Sequence, residues 1–179
     1  MTTAKDVIAY MEQRLPEASE FKLCKLAYYA QAWNVVWSGH ELFDDRIEAW
    51  RHGPVPAECW RQRTRAYGPK PQALSPAERN VVDAVLDHYG RLSAPELWTL
   101  SHMERPWREA RGDLPDTANS EAEITVRAMR RFYTQLSSKG RDTPKKPAQE
   151  GSTPSPSVLE LADREAKRWS GTLERLAHR

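Results

Sequence analysis

The sequence predicts a mainly α-helical fold: a compact multi-helix domain with one short β-hairpin, followed by a Pro-rich linker and a C-terminal amphipathic helix. Three observations predict it. Apolar residues recur at three- and four-residue steps through much of the first 137 positions, which is the period of one helix face. Ser-x-x-Glu occurs three times near the start of such runs, a pattern in which the Ser side chain caps a helix and the Glu reaches back to the cap's own N–H. Residues 46–54, Arg-Ile-Glu-Ala-Trp-Arg-His-Gly-Pro, instead alternate with a period of two and run into a Gly-Pro turn.

The first helix spans residues 4–14, with Val7, Ile8 and Met11 on one face and Pro16 ending it. The second runs from Ser19 to about Ser38. Leu23, Leu26, Ala27, Ala30, Trp33 and Trp37 recur along it, and Gly39 supplies a C-terminal stop. Because Tyr28, Tyr29 and Val36 extend its apolar surface around the circumference, this helix is expected at the centre. Leu42-Phe43, a turn at Asp44-Asp45, and Ile47 to Trp50 read as a tight hairpin, with Trp50 and His52 on one side of the extended backbone and Gly53-Pro54 closing the unit. Pro56 opens a helix to Tyr67, which Gly68-Pro69 breaks.

Ser75-Pro-Ala-Glu78, Ser93-Ala-Pro-Glu96 and Ser120-Glu-Ala-Glu123 predict three further helix starts. The first helix turns Val82, Val85, Leu86 and Tyr89 inward and ends at Gly90. The second buries Leu97 and Leu100. The third presents Ile124, Ala128, Phe132 and Leu136. Between the last two, Pro106 begins a short turn from Trp107 to Arg111, stopped by Gly112. This completes a helical domain over 1–137. Residues 138–157 form the linker, rich in Pro, Ser and Lys, because they bury too little apolar area to offset ordering entropy. Over 158–179, Leu159, Ala162, Ala166, Trp169, Leu173 and Leu176 step in the heptad rhythm of an amphipathic helix. A helix this short needs something to fold against: its own domain, another copy or a partner.

Charge separates the two regions. Residues 1–137 carry 18 basic and 19 acidic side chains, whereas 138–179 carry 9 and 6, so the basic excess lies in the tail. A total of +2 gives no general attraction for nucleic acid. The two cysteines, Cys24 and Cys59, lie far apart and suit a reducing cytoplasm. No run approaches the roughly 20 apolar residues of a membrane span. The protein is therefore expected to be cytoplasmic.

Catalytic signals are weak. The five histidines show no metal-ligand spacing and glycine occurs singly, so no metal or cofactor is expected. Asp44-Asp45 suits an exposed turn, and Cys24 packs beside Leu23 on its helix. His102, Glu104 and Arg111 gather around Trp107 and admit two readings: a recognition or catalytic pocket, or a helix–helix corner plugged by Trp107. The need of every buried polar group for a partner favours the corner. For Arg61, Arg63 and Arg65, alternate spacing spreads the charges around a helix and favours a solvated face over a phosphate-binding stripe.

Four motifs in order carry a resemblance. They are Lys22 to Trp33 (KLCKLAYYAQAW), Glu48 to Val55 (EAWRHGPV), Tyr89 to Leu97 (YGRLSAPEL) and Ser101 to Arg111 (SHMERPWREAR). Together they resemble the Panacea domain, the SocA-like antitoxin family associated with phage and mobile elements, across about residues 5–136. The matching positions are Tyr28, Tyr29, Gln31, Trp33, Trp50, His52, Gly53, Pro54, Val55, His102, Pro106, Trp107 and Arg111. Ser101 stands where the family often has Thr, and the tail has no counterpart.

The resemblance implies a non-enzymatic antitoxin of a toxin–antitoxin system, acting by stoichiometric binding to a co-encoded toxin, such as a translation-targeting small alarmone-synthetase-like enzyme. An alternative is an adaptor that delivers the toxin to a protease. A nucleic-acid binder acting through the tail, or an enzyme using His102, Glu104 and Arg111, stands further back. The expected contact residues are Trp50, His52 and Val55 at the hairpin and Trp169, Leu173 and Leu176 in the tail. Trp50 and His52 either touch the partner or hold the turn.

Overall fold

The first helix, α1 (Ala4–Arg14), begins on a capping box absent from the expectations above. The Thr3 hydroxyl accepts the Asp6 N–H, and the Asp6 carboxylate accepts the Thr3 N–H at 2.8 Å. A computed structural model of the chain describes residues 2–63, 72–140, 142–148 and 160–165. Two compact units divide the chain, Met1–Pro147 and Ala148–Arg179. In the second, residues 160–165 are helical, while Trp169, Leu173 and Leu176 lie outside the described residues.

The first unit is mainly helical and is built around α2 (Glu20–Ser38), as its circumference predicts. Every residue from Leu23 to Val35 is buried, and α1, α4 (Pro76–Tyr89), α5 (Ala94–Met103), α7 (Val126–Ser138) and β2 (Gly53–Pro56) all pack on it. Ser19 caps its start, and Gly39 ends it with a left-handed φ of 81°. Lys25, Gln31 and Asn34 of this buried helix each bind backbone. Gln31 accepts the N–H groups of Leu42 and Phe43 at 2.7 and 3.2 Å and donates to the Phe43 carbonyl at 2.9 Å. That clamp holds Leu42-Phe43 as an irregular loop.

The hairpin is therefore shifted along the chain from the expected one. Strand β1 (Ile47–Trp50) pairs antiparallel with β2 (Gly53–Pro56), and the turn is Arg51-His52. Asp44-Asp45 is not the turn; instead the Asp45 carboxylate accepts the Ala4 N–H at the start of α1. His52 belongs to the turn and not to an extended run alongside Trp50. Two prolines explain the register. Pro54 and Pro56 face Ala49 and Ile47, so their missing N–H groups fall where a ladder bond to β1 is not required. The outward groups of β1 pair on its other edge: Ala49 N–H binds the Ala122 carbonyl at 2.8 Å, and Ile124 N–H binds the Ile47 carbonyl at 2.8 Å.

This third segment overrides the expected cap at Ser120. Glu123 bridges to Glu48 in extended conformation, and α7 (Val126–Ser138) starts later, on a Thr125 cap. Its buried face is Met129 and Tyr133, with Phe132 and Leu136 half-buried, one residue around from the predicted stripe. The capping boxes of α4 (Pro76–Tyr89) and α5 (Ala94–Met103) form as predicted. Leu97 is buried on α5, but Leu100 is only half-buried. Helix α3 (Ala57–Arg63) starts after Pro56, which ends β2; its expected end at Tyr67 and the Gly68-Pro69 break fall outside the described residues. The short α6 (Arg105–Arg111) runs from Pro106 to the stop at Gly112, as expected.

Candidate functional site

A tight turn leaves backbone carbonyls that the ladder cannot satisfy, and buried ones need donors. Around this hairpin the polar neighbours are side chains from three helices. Lys25 on α2 donates to the Pro54 carbonyl at 2.8 Å. Trp107 on α6 donates from Nε1 to the Trp50 carbonyl at 2.9 Å, and Arg111 donates to the Ala49 carbonyl at 3.0 Å. On α5, His102 sets Nε2 3.1 Å from the Arg51 carbonyl and Nδ1 2.7 Å from the Trp98 carbonyl. The hairpin thus rests in a cradle formed by residues distant in sequence.

Close packing in the cradle explains Gly53. Its φ is +95°, and a Cβ there would meet Cε and Nζ of Lys25 at 2.9 Å and the His102 ring at 3.0 Å. Only glycine fits that backbone and that space. The His102 ring lies between Trp98 and Trp107, with centroids 4.1 and 4.0 Å away. Burial pushes its pKa down, while the two facing carbonyls pull it up. Burial also pushes Lys25 down, to about 7.

Arg111 organises the segment after α6. It is 4 % exposed, and one terminal nitrogen donates to the Pro115 and Ala118 carbonyls at 2.7 Å each. Its guanidinium lies 4.8 Å from the Trp107 ring centroid. A lysine ammonium is a single point and does not span carbonyls on opposite sides. Arg111→Lys should therefore destabilise the fold by about 2–4 kcal/mol, read as a lower urea midpoint at unchanged m-value. An unaltered midpoint would remove Arg111 from this role.

The other face of the hairpin is ionic. Glu48, 3 % exposed, accepts from Arg61 at 3.0 and 3.3 Å and from Trp50 Nε1 at 2.7 Å. Arg61 and Trp60 flank the half-buried Trp50 ring. Arg61 is therefore engaged by carboxylate, as a structural face and not a phosphate stripe. The Arg63 side chain and Arg65 lie outside the described residues.

The structure separates the three residues once grouped around Trp107. His102 and Arg111 join the cradle, but Glu104 turns into a second buried cluster and bonds to neither. There Tyr133 donates to Glu104 Oε2 at 2.6 Å and Tyr29 at 3.4 Å, while the Tyr28 hydroxyl lies 3.2 Å from that of Tyr133. Tyr29 stacks on Tyr89, whose hydroxyl accepts the Trp33 Nε1–H at 3.1 Å. Burial raises the Glu104 carboxyl to about 8, so it is mainly protonated at neutral pH. The helix–corner reading of this region is the one the geometry follows.

Of the expected contact residues, His52 is exposed at the tip, with Nε2 accepting from Arg51 Nε at 2.8 Å, and Trp50 is half-buried. Val55 is 4 % exposed and packs in the core, where it supports the hairpin from beneath. The sequence reading missed Lys25, Glu48, Trp98, Met103 and Tyr133. Lys25 carried a legible signal, a lysine within the fully apolar stretch of α2. Trp98 and Met103 carried none, because nothing local distinguishes an exposed apolar residue from a buried one.

Among the described residues no group of three His, Cys, Asp or Glu could hold a metal ion, and no helix is long and apolar enough to cross a membrane. A cavity of about 300 Å³ lined by Asp6, Tyr10, Gln72 and Arg79 involves none of the cradle residues. Residues 23–108 match one protein family, described as Antitoxin SocA-like, Panacea domain. No curated protein and no solved structure matches the chain.

Proposed function

We propose that this protein neutralises a co-encoded toxin by direct stoichiometric binding, because residues 23–108 match the antitoxin SocA-like Panacea family. The observation that supports this reading is the cradle. Three side-chain donors hold the carbonyls of Ala49, Trp50 and Pro54, and the His102 ring packs against that of Arg51, so the exposed tip at Arg51-His52 is presented as a rigid shape. Rigid surfaces lose little entropy on docking, which favours tight binding without chemistry. The contact residues are Trp50 and His52 at the hairpin, supported by Val55, with Trp169, Leu173 and Leu176 of the C-terminal unit as a second arm. The toxin is of the translation-targeting class that the family resemblance implies, and it is blocked at or near its active site.

Co-expression with the protein encoded beside it tests the proposal. Growth rescue, co-purification at fixed stoichiometry and undiminished toxin levels are expected. Rescue accompanied by toxin disappearance would instead indicate an adaptor that delivers it to a protease. Absence of both rescue and co-purification would sink the antitoxin reading. A second version ending at Pro147 locates the contact: full rescue by it would take the tail residues out of the interface.

A further inference from the structure

We propose that residues 142–147 are a strap docked beside the end of α4, latched there by Asp142 on His88, and that the latch tightens when the imidazole takes up a proton. The chain then enters its second unit from the docked strap and not from the end of α7.

Composition gives this stretch little to bury. Yet Pro144 is buried and Thr143 and Pro147 are half-buried, between exposed Asp142, Lys145 and Lys146. Proline has a fixed φ and almost no side-chain entropy to lose, so it is cheap to pin against a surface. Asp142 supplies a bend before it. Among the described residues Asp142 is the one non-glycine residue with a positive φ, 53°, a conformation that aspartate tolerates better than most side chains. Its carboxylate lies 3.7 Å from Nε2 of His88, on the last turn of α4.

The surroundings of His88 set the sign. Burial pushes its pKa below 6.5, the Asp142 carboxylate pulls it up, Arg91 pushes it down and the Asp142 backbone pulls it up. Both groups that favour the imidazolium therefore belong to the strap. The ring packs edge-on against the buried Tyr89, with centroids 4.5 Å apart, a neighbour that undocking leaves in place. The Tyr89 hydroxyl accepts from Trp33 within the core, and burial holds its proton well past this range. On α2, the Lys22 ammonium is engaged by the Gly90 carbonyl at 2.6 Å. Undocking thus removes the two favourable groups and leaves Arg91, so His88 binds its proton more tightly with the strap docked. The extra hold is complete at low pH and is lost as pH rises through the docked pKa. Since that value lies below 6.5, the latch acts on the acid side of neutrality.

The test follows the full chain by NMR between about pH 5 and 7.5. The amides of Thr143, Lys145 and Lys146 should shift with the midpoint of the His88 imidazole. Their hydrogen exchange, corrected for the intrinsic rate, should slow by about two- to threefold as His88 protonates. Asp142→Asn accepts the same backbone conformation; it should lower the His88 pKa by about 0.5 and abolish that slowing. His88→Gln should leave the strap amides without a titration. Pro144→Ser should move them to unstructured positions at every pH, with the amides of α4 and α7 unchanged.

Strap amides already at unstructured positions in the wild type would overturn the docking. A titration of those amides that survives in His88→Gln would assign it to another group and overturn the latch. Exchange that quickens as His88 protonates would show that acid releases the strap, which overturns the proposed direction.

Discussion

Replacing Trp107 by alanine should unfold the cradle and, on the proposed antitoxin reading, abolish growth protection with it. The ring is 2 % exposed, packs against His102 and the Arg111 guanidinium, and holds the Trp50 carbonyl. Removing a buried tryptophan leaves a cavity and costs about 3–5 kcal/mol. Here it also frees two polar neighbours that depend on it for position. Against a total stability of about 5–15 kcal/mol, that loss is a large fraction. Trp107→Phe separates the terms: it keeps most of the ring, loses the N–H and should cost about 1–2 kcal/mol. Urea unfolding measures both variants. A midpoint for Trp107→Ala close to wild type would mean that the hairpin does not depend on the cradle.

The second large effect is on pH. Burial raises Glu104 to about 8 from an ordinary 4.5 and lowers Lys25 to about 7 from 10.5. Folded protein keeps the Glu104 proton where the unfolded chain releases it, so this group's stabilisation is complete below pH 4.5 and is lost as pH rises to 8. Lys25 has the opposite sign. Its contribution is complete above pH 10.5 and is lost as pH falls to 7.

The two slopes oppose each other between pH 7 and 8. The pair therefore produces falling stability from pH 4.5 to 7 and rising stability from 8 to 10.5. Glu104→Gln, whose amide oxygen still accepts from Tyr133, should erase the first slope. At pH 8 the gain from removing a carboxylate held this far from its ordinary range is on the order of 5 kcal/mol. Denaturant midpoints across pH 4–10 check it. A variant that keeps the wild-type acid-side slope would place that titration on another group.

Much of the fold was legible locally. The helices α1, α2, α4, α5 and α6 follow from apolar period and from caps at Ser19, Ser75 and Ser93, because a cap and its first turn lie within a few residues. The errors came where a local signal met a distant competitor. Ser120-x-x-Glu123 has the letters of a capping box, but the open edge of β1 draws residues 122–124 into an extended pairing. Leu42-Phe43 alternates acceptably as a strand, yet Gln31 takes its backbone groups first.

The candidate site divides in the same way. Gly53, Pro54, His102, Trp107 and Arg111 stood out as residues of matching motifs, but their letters did not show what they hold. His102, Trp107 and Arg111 meet hairpin carbonyls 51 to 62 residues away, Pro54 offers its carbonyl to Lys25, and Gly53 leaves room for the Lys25 and His102 side chains. Every residue except proline carries the same N–H and C=O, so a carbonyl waiting for a donor leaves no mark in the sequence.

By itself the sequence determined the helical class, the central place of α2, most helix starts and stops, and the family motifs, since each is written in contiguous periods and caps. Tertiary structure alone decided the hairpin register, the start of α7, the protonated Glu104 beneath three tyrosines, and the cradle that gathers scattered motifs around one hairpin. Those features rest on hydrogen bonds and desolvation between segments that only the folded chain brings together.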